Sequence, residues 1–163
     1  MAWINIANFF EADRRSATAG EDMTMGMLVK VSDDGAGGRT VMKLLDADAA
    51  LLVAGNYGVV YKVSADADQV HTSTASAVTG LREVTVSSGD AVVEVRRGAI
   101  VEYSADLLHS SLDAAREGTA PTVNDALEIK SSQWCEVGTG SAITTVVGRV
   151  FKVFGTRVAV EIV

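Results

Sequence analysis

Along most of this chain, apolar and polar residues change places every one or two positions, and glycine or short polar clusters interrupt the pattern every few residues. That is the rhythm of short strands and tight turns. Met27 to Val31 reads as a strand. Ser32-Asp-Asp-Gly-Ala-Gly-Gly38 is a loop of residues that tolerate positive φ, and Arg39 to Leu44 returns as a second strand, making a hairpin. Tyr57 to Val63, Val70 to Thr74, Leu81 to Val86, Ala91 to Arg96 and Ala99 to Tyr103 follow as strands, with a hairpin turn predicted at Ser87-Ser-Gly-Asp90. Val123 to Lys130 reads as a strand after an Asn-Asp turn. Between Trp134 and Val163 the chain runs as strands to its last residue. Strict alternation there puts Val150, Lys152 and Phe154 on one face and Phe151 and Val153 on the other. Phe154-Gly155-Thr156 turns the chain, and Val158, Val160 and Ile162 then share a face.

Two stretches break the rhythm. Asp46 to Gly55 suits one or two helical turns, with Asp46 as candidate N-cap and Gly55 as stop. Ser104 to Gly118 reads as a helix or structured insertion. Leu108, Leu112 and Ala115 fall on one helical face, Ser104 is placed to cap and Gly118 to stop.

The opening differs again. Trp3, Ile4, Ile6, Phe9 and Phe10 crowd large apolar residues together, and a polar run from Glu11 to Gly20 follows. The segment packs on its own domain as a strand or helix, or it is an arm that docks on a partner with Arg14 and Arg15 beside the aromatic anchors. The division expected is an N-terminal arm over 1–22 and one β-rich domain over 23–163, with the helical insertion near 104–118. The fold class is mainly β: a small β-barrel or sandwich with short helical insertions and an extended N-terminal arm. No internal repeat of roughly 20 to 50 residues recurs.

Composition narrows the function classes. Hydrophobic residues are 48% of the 163 but aromatics only 6%, so the core must be built from aliphatic side chains, many of them Ala and Val. The net charge of -7 disfavours phosphate backbones, and neither Arg14-Arg15 nor Arg96-Arg97 makes a basic stripe, so no nucleic-acid partner is expected. The N-terminus lacks a basic leader before its apolar stretch, so no signal peptide is predicted. No apolar run approaches the roughly 20 residues that span a bilayer, so no membrane partner is predicted. The single cysteine, Cys135, excludes an intrachain disulfide and fits a reducing cytoplasm. It reads as a small strand residue rather than a nucleophile.

Candidate chemistry is sparse. Asp46/Asp48, Asp66/Asp68 and Asp33-Asp34-Gly35 lack the ordered ligand set of a calcium loop and read as turn acids. Gly35 to Gly38 and Gly138-Thr-Gly140 lack the Gly-Lys-Ser/Thr of a phosphate loop. His71 and His109 are the only histidines, and no Gly-x-Ser-x-Gly elbow accompanies them. Tyr57, Tyr61 and Tyr103 lie in strands, and Trp134 is placed at a core edge. No catalytic residue, metal ligand or cofactor is predicted, and the chain is not expected to be an enzyme.

Four segments resemble the capsid decoration (cement) proteins of tailed bacteriophages. Met25-Gly26-Met-Leu-Val-Lys-Val31 looks like the strand that opens their small barrel. Val53-Ala-Gly55-Asn-Tyr-Gly-Val-Val60 looks like their Gly-containing strand crossing. Pro121-Thr-Val-Asn-Asp-Ala-Leu-Glu-Ile129 is similar to their Pro-x-Val-Gly-Asp-x-Leu strand entry, with Asn124 where Gly is commoner. Val147-Gly148-Arg149-Val150, followed by Arg157-Val-Ala-Val-Glu-Ile162, resembles their closing hairpin.

The resemblance implies a structural virion protein that binds the outside of a capsid and bridges neighbouring major capsid proteins. It implies a homo-oligomer, trimer or dimer, made in the bacterial cytoplasm. The partner-binding residues expected are those of the arm: Trp3, Ile4, Ile6, Phe9, Phe10, Arg14 and Arg15. Two alternatives come from other classes. One is a β-barrel module binding a small ligand, glycan or host surface in a pocket lined by Trp134 and tyrosines. The other is an oligomeric enzyme using Asp with His71 or His109.

Overall fold

Two β layers built on different principles make up the body of this protein. They are seen in a computed structural model that describes residues 4–7, 13–33, 35–62, 85–112, 118–137 and 146–163. The first layer is a closed five-stranded barrel of β2 (Arg14–Ala19), β5 (Arg39–Lys43), β4 (Leu28–Asp33), β6 (Tyr57–Tyr61) and β8 (Ala91–Val95), in that order. The second is a six-stranded sheet of β1 (Ile4–Ile6), β9 (Ile100–Ser104), β13 (Arg157–Ile162), β12 (Gly148–Phe154), β10 (Ala126–Lys130) and β11 (Gln133–Glu136). A short pair, β3 (Met23–Thr24) with β7 (Thr85–Val86), completes the strands of the described residues. The chain is therefore mainly β, as its alternation requires.

The barrel explains the aromatic-poor composition. Its registers place Ala17, Ala19, Val41, Val31, Val29, Gly58, Val60, Val92 and Glu94 on one continuous face, while Arg14, Ser16 and Thr18 turn outward and are exposed. Five strands leave a narrow interior, filled around Glu94 mostly by small side chains. β2 runs parallel to β5 at Thr18 and Ala19 and antiparallel to β8 along most of its length.

The six-stranded sheet buries larger residues. Ile4 and Ile6, Val101 and Tyr103, Val158, Val160 and Ile162, Val150, Leu127 and Ile129, and Trp134 share its inner face. They join the outer face of the barrel (Leu28, Tyr57, Val59, Val95) in one core. Gly148 makes this packing possible: a Cβ there would sit 2.5 Å from Cζ3 of Trp134. Polar bonds tie the layers too. The Tyr57 hydroxyl donates to Val163 O at 2.6 Å, and Ser132 Oγ donates to Leu44 O at 2.7 Å.

Several local expectations change. The turn at Ser87 to Asp90 is present, with Gly89 at φ 91, but it is not a hairpin: β7 pairs with β3 and β8 with β2 and β6. The first helix, α1 (Ala49–Val53), has Asp48 rather than Asp46 at its N-cap position. It ends as expected at Gly55, φ 70, with Gly55 N–H donating to Leu52 O and Asn56 N–H to Leu51 O. The 104–118 stretch is no α-helix over its described part. Ala105–Leu107 and Ser110–Leu112 are separate 3-10 turns, because Leu108 between them is extended at ψ 162. Leu108 and Leu112 are nevertheless both buried.

The closing hairpin carries the most consequential difference. Val150 pairs with Val160 but Lys152 pairs with Ala159, so β12 has a bulge at Phe151. The extra residue resets the alternation. Val153, not Lys152, rejoins the core face, and Phe151 is turned outward at 52% exposure. The predicted strand over 70–74 and residues 81–84 of the one predicted from Leu81 to Val86 lie outside the described residues; its end, Thr85–Val86, is β7.

Candidate functional site

The opening segment was the expected partner-binding site, and the structure divides it. Ile4 and Ile6 are 0% and 5% exposed on β1, which pairs with β9 at Ile4–Tyr103 and Ile6–Val101. Their burial is inside this chain. The reason is local shape: Gly26, at φ 87, would place a Cβ 2.7 Å from Ile4 Cδ1, so its lack of a side chain is the socket Ile4 fills. Residues 4–6 and 14–19 are thus strands of the body and do not stand apart from it over their described length. Arg14 and Arg15 are exposed on β2 and line a shallow surface depression with Ser16 and Val93; Arg15 pairs with Asp13 at 3.5 Å. Trp3, Phe9 and Phe10 lie outside the described residues.

The pocket of Trp134 and tyrosines that a binding module would use is closed at Trp134 and Tyr103. Trp134 and Tyr103 are both 0% exposed. Trp134 Nε1–H donates to the Tyr103 hydroxyl at 2.9 Å, and that hydroxyl donates to Gly26 O at 3.0 Å. Burial pushes the Tyr103 phenol far above its ordinary range, against a smaller opposing effect of the Trp134 bond. Tyr57 is 5% exposed and sits beside a cleft of about 260 Å³ lined also by Leu52, Gly55, Arg97, Val146 and Val163. Tyr57 is likewise raised, chiefly by burial.

The carboxylates serve as cross-links. Glu94 is fully buried in the barrel interior, where Arg39 Nη2 donates to its Oε2 and Arg96 Nε lies 3.4 Å from Oε1. Gly58 makes room for it, since a Cβ there would lie 2.6 Å from Glu94 Cγ. Asp48 accepts from Lys30 Nζ at 2.9 Å and from Leu45 N–H at 2.8 Å. Burial raises its pKa, but these two bonds outweigh that and hold it below the ordinary value. Asp90 accepts from Lys62 Nζ at 2.9 Å and Ser87 N–H at 2.8 Å, and both lower its pKa. Asp46 Oδ1 accepts from Ser131 N–H. Asp34, Asp66 and Asp68 lie outside the described residues.

His109 Nδ1 is 3.0 Å from Ser111 Oγ and also accepts from Ser111 N–H, a bond that closes its own turn. His71 lies outside the described residues. Cys135 is fully buried and its thiol is pushed up to about 12, by burial first and by the charge of Glu128 second. Among the described residues no group of three His, Cys, Asp or Glu is arranged to hold a metal ion.

What the sequence did not reveal is an exposed apolar and cationic corner on the closing hairpin. Phe151 is 52% and Val123 53% exposed. The two are brought together where Asn124 N–H donates to Val150 O at 2.8 Å. Uniform alternation hid the bulge, which takes Lys152 off the face of buried Val150 and puts Val153 there instead. Protein-family models give no match to this chain, and a search of curated proteins finds no relative.

Proposed function

We propose that the chain is a structural virion protein that binds the outer surface of a phage capsid and bridges neighbouring major capsid proteins. In this reading it works as a homo-oligomer on the shell, made in the bacterial host cytoplasm. The observation that carries it is the backbone of Asn124. In the Pro121 to Ile129 segment the decoration-protein pattern has Gly, and here Asn124 adopts φ 75, the left-handed conformation that Gly supplies and Asn tolerates best among other residues. The other resembling segments support it by position: Gly26 turns into β4, Gly55 turns into β6, and the closing segment is the β12–β13 hairpin.

The physics suits the role. A small body repeated over a shell multiplies a modest contact: at roughly 25 cal/mol per Å² of apolar surface buried, many copies add up to a large collective stabilisation. An acidic body stays soluble before assembly. The test is co-sedimentation with expanded empty shells. Saturable pelleting with the shells, together with increased resistance of the loaded shells to heat, is expected. Protein that remains in the supernatant at micromolar concentration with every tailed-phage shell offered would end the proposal.

A further inference from the structure

Strand β8 offers its neighbours little to choose between. It reads Ala91-Val-Val-Glu-Val95, pairs with β2 over five residues and with β6 over three, and closes the barrel between them. Val92 is 3% and Val95 0% exposed on opposite faces, and Val93 is packed against the core. The inward residues around β8 are of the same kind: Ala17, Ala19, Val29, Val31, Val41 and Val60. Register is weakly specified where the two faces of a strand are alike. A shifted β8 would again set Ala and Val against Ala and Val.

Glu94 is the only residue of β8 that is neither. Arg39, on the inward face of β5, donates from Nη2 to its Oε2, and Arg96, two residues on along β8, brings Nε to 3.4 Å from Oε1. Arg15, directly across on β2, pairs with Asp13 at 3.5 Å. Val60 is the direct partner of Glu94 on β6, and the Glu94 side chain leans over Gly58, where a Cβ would lie 2.6 Å from its Cγ. Arg96 travels with β8; Arg39 and Gly58 do not. A slip of one residue would turn Glu94 to the face of Val59 and Val95, both 0% exposed. A slip of two would keep the face but carry the carboxylate about 7 Å along the barrel, away from Arg39. In one direction that slip sets Glu94 over Val60, whose Cβ fills the space that Gly58 leaves open. Either way a buried charge loses its partner, which is strongly unfavourable.

We propose that Glu94, held by Arg39 and seated on Gly58, fixes the register of β8 and with it the closure of the barrel. A buried ion pair often adds little net stability, and its best-attested use is to choose among arrangements that apolar packing leaves nearly equal. The consequence reaches the second layer. Only residues 96–99 separate β8 from β9, and Ala99 N–H donates to Arg96 O across that turn. β9 pairs in turn with β1 and β13, so a shift of β8 pulls on the sheet that holds them. This device works within one chain and is independent of the capsid role.

The experiment is NMR on the full chain, comparing wild type with Glu94→Leu plus Arg39→Met and with Arg39→Gln. The first variant removes both charges. The second is milder, because Glu94 keeps Arg96 and loses only the partner that does not move with β8. In wild type, Ser16 should show a cross-strand contact to Val93 alone. In the variants, unfolding in urea should stay cooperative while a second set of β8 resonances appears, with Ser16 against Ala91 or Val95. Amide protection of Val92 to Val95 should fall by about tenfold or more relative to β13. If Ser16 keeps Val93 alone in whichever variant folds, the proposal is overturned. It is equally overturned if neither folds, because the pair would then carry the fold itself rather than choose its register.

Discussion

Trp134 hands its indole N–H to the Tyr103 hydroxyl, and Tyr103 hands its own proton to the carbonyl of Gly26. The relay joins β11 and β9 of the sheet to the turn that enters the barrel. Both side chains are fully buried, so no water can substitute. Tyr103→Phe keeps the ring but leaves the Trp134 donor and the Gly26 acceptor unpaired. The expected cost is about 1–3 kcal/mol, read from urea denaturation, with an unchanged denaturant slope. A variant as stable as wild type would show that the relay contributes packing alone.

Glu94 is the carboxylate whose removal should cost most. It lies in the barrel interior with Arg39 reaching in from β5, which does not neighbour β8. Glu94→Ala would leave the arginine facing a void. The expected loss is roughly 2–4 kcal/mol, under the range for fully buried pairs because about a third of the Arg39 side chain is in water. A double variant, Glu94→Leu with Arg39→Met, should recover part of that loss, since an apolar interior of similar volume needs no partner. Additive losses in the double variant would contradict the pairing.

Acid should weaken the fold through Asp48 and Asp90. Both carboxyls sit below their ordinary value of 3.8 when folded. A group that holds its proton more weakly in the folded state contributes stability above its unfolded pKa and loses it as pH falls through the folded one. Stability should therefore decline from about pH 5 downward. Asp48→Asn should cost about 1 kcal/mol at neutral pH and make the acid decline shallower. Denaturation midpoints for both proteins across this range check it, and identical acid slopes would exclude Asp48 as a source.

The thiol of Cys135 should be inert in the native protein. Burial raises it to about 12, so almost no thiolate is present at pH about 8. Ellman's reagent should find no fast-reacting thiol until denaturant is added, and then one per chain. Rapid native labelling would mean that the strand pair Glu128–Cys135 opens readily.

Periodicity was sufficient for the strand bodies and the β12–β13 turn because those depend on neighbours in sequence. Gly55 was readable as a helix stop, and the Asn-Asp turn at Asn124 as a strand entry, for the same reason. Pairing was not readable. Ser87 to Asp90 has hairpin chemistry, yet its flanking strands join different sheets, and only long-range packing of Val86 and Val92 decides that. The bulge at Phe151 is invisible to alternation, because one inserted residue leaves the local pattern intact while reversing every later assignment. The burial of Ile4 was not readable either, because its socket is a missing side chain at Gly26, far away in sequence.

The placement of Ile4 and Ile6 changes how the opening segment must be probed. Deleting residues 2–15 would remove β1 and the first two residues of β2, so lost shell binding would report unfolding as readily as a lost arm. Substitutions separate the two. Ile4→Ala, in a site with no exposure, should cost about 2–4 kcal/mol in urea denaturation, because the Gly26 and Tyr103 surfaces around it are fixed by the hydrogen bond between them. Arg14→Glu with Arg15→Glu, both exposed although they lie on opposite faces of β2, should leave stability within about 0.5 kcal/mol. If the segment grips a partner through these exposed arginines, the arginine variant loses shell co-sedimentation while melting like wild type. An Ile4→Ala protein with wild-type stability would instead mean that β1 is not docked on β9 in solution, and the free-arm picture would return.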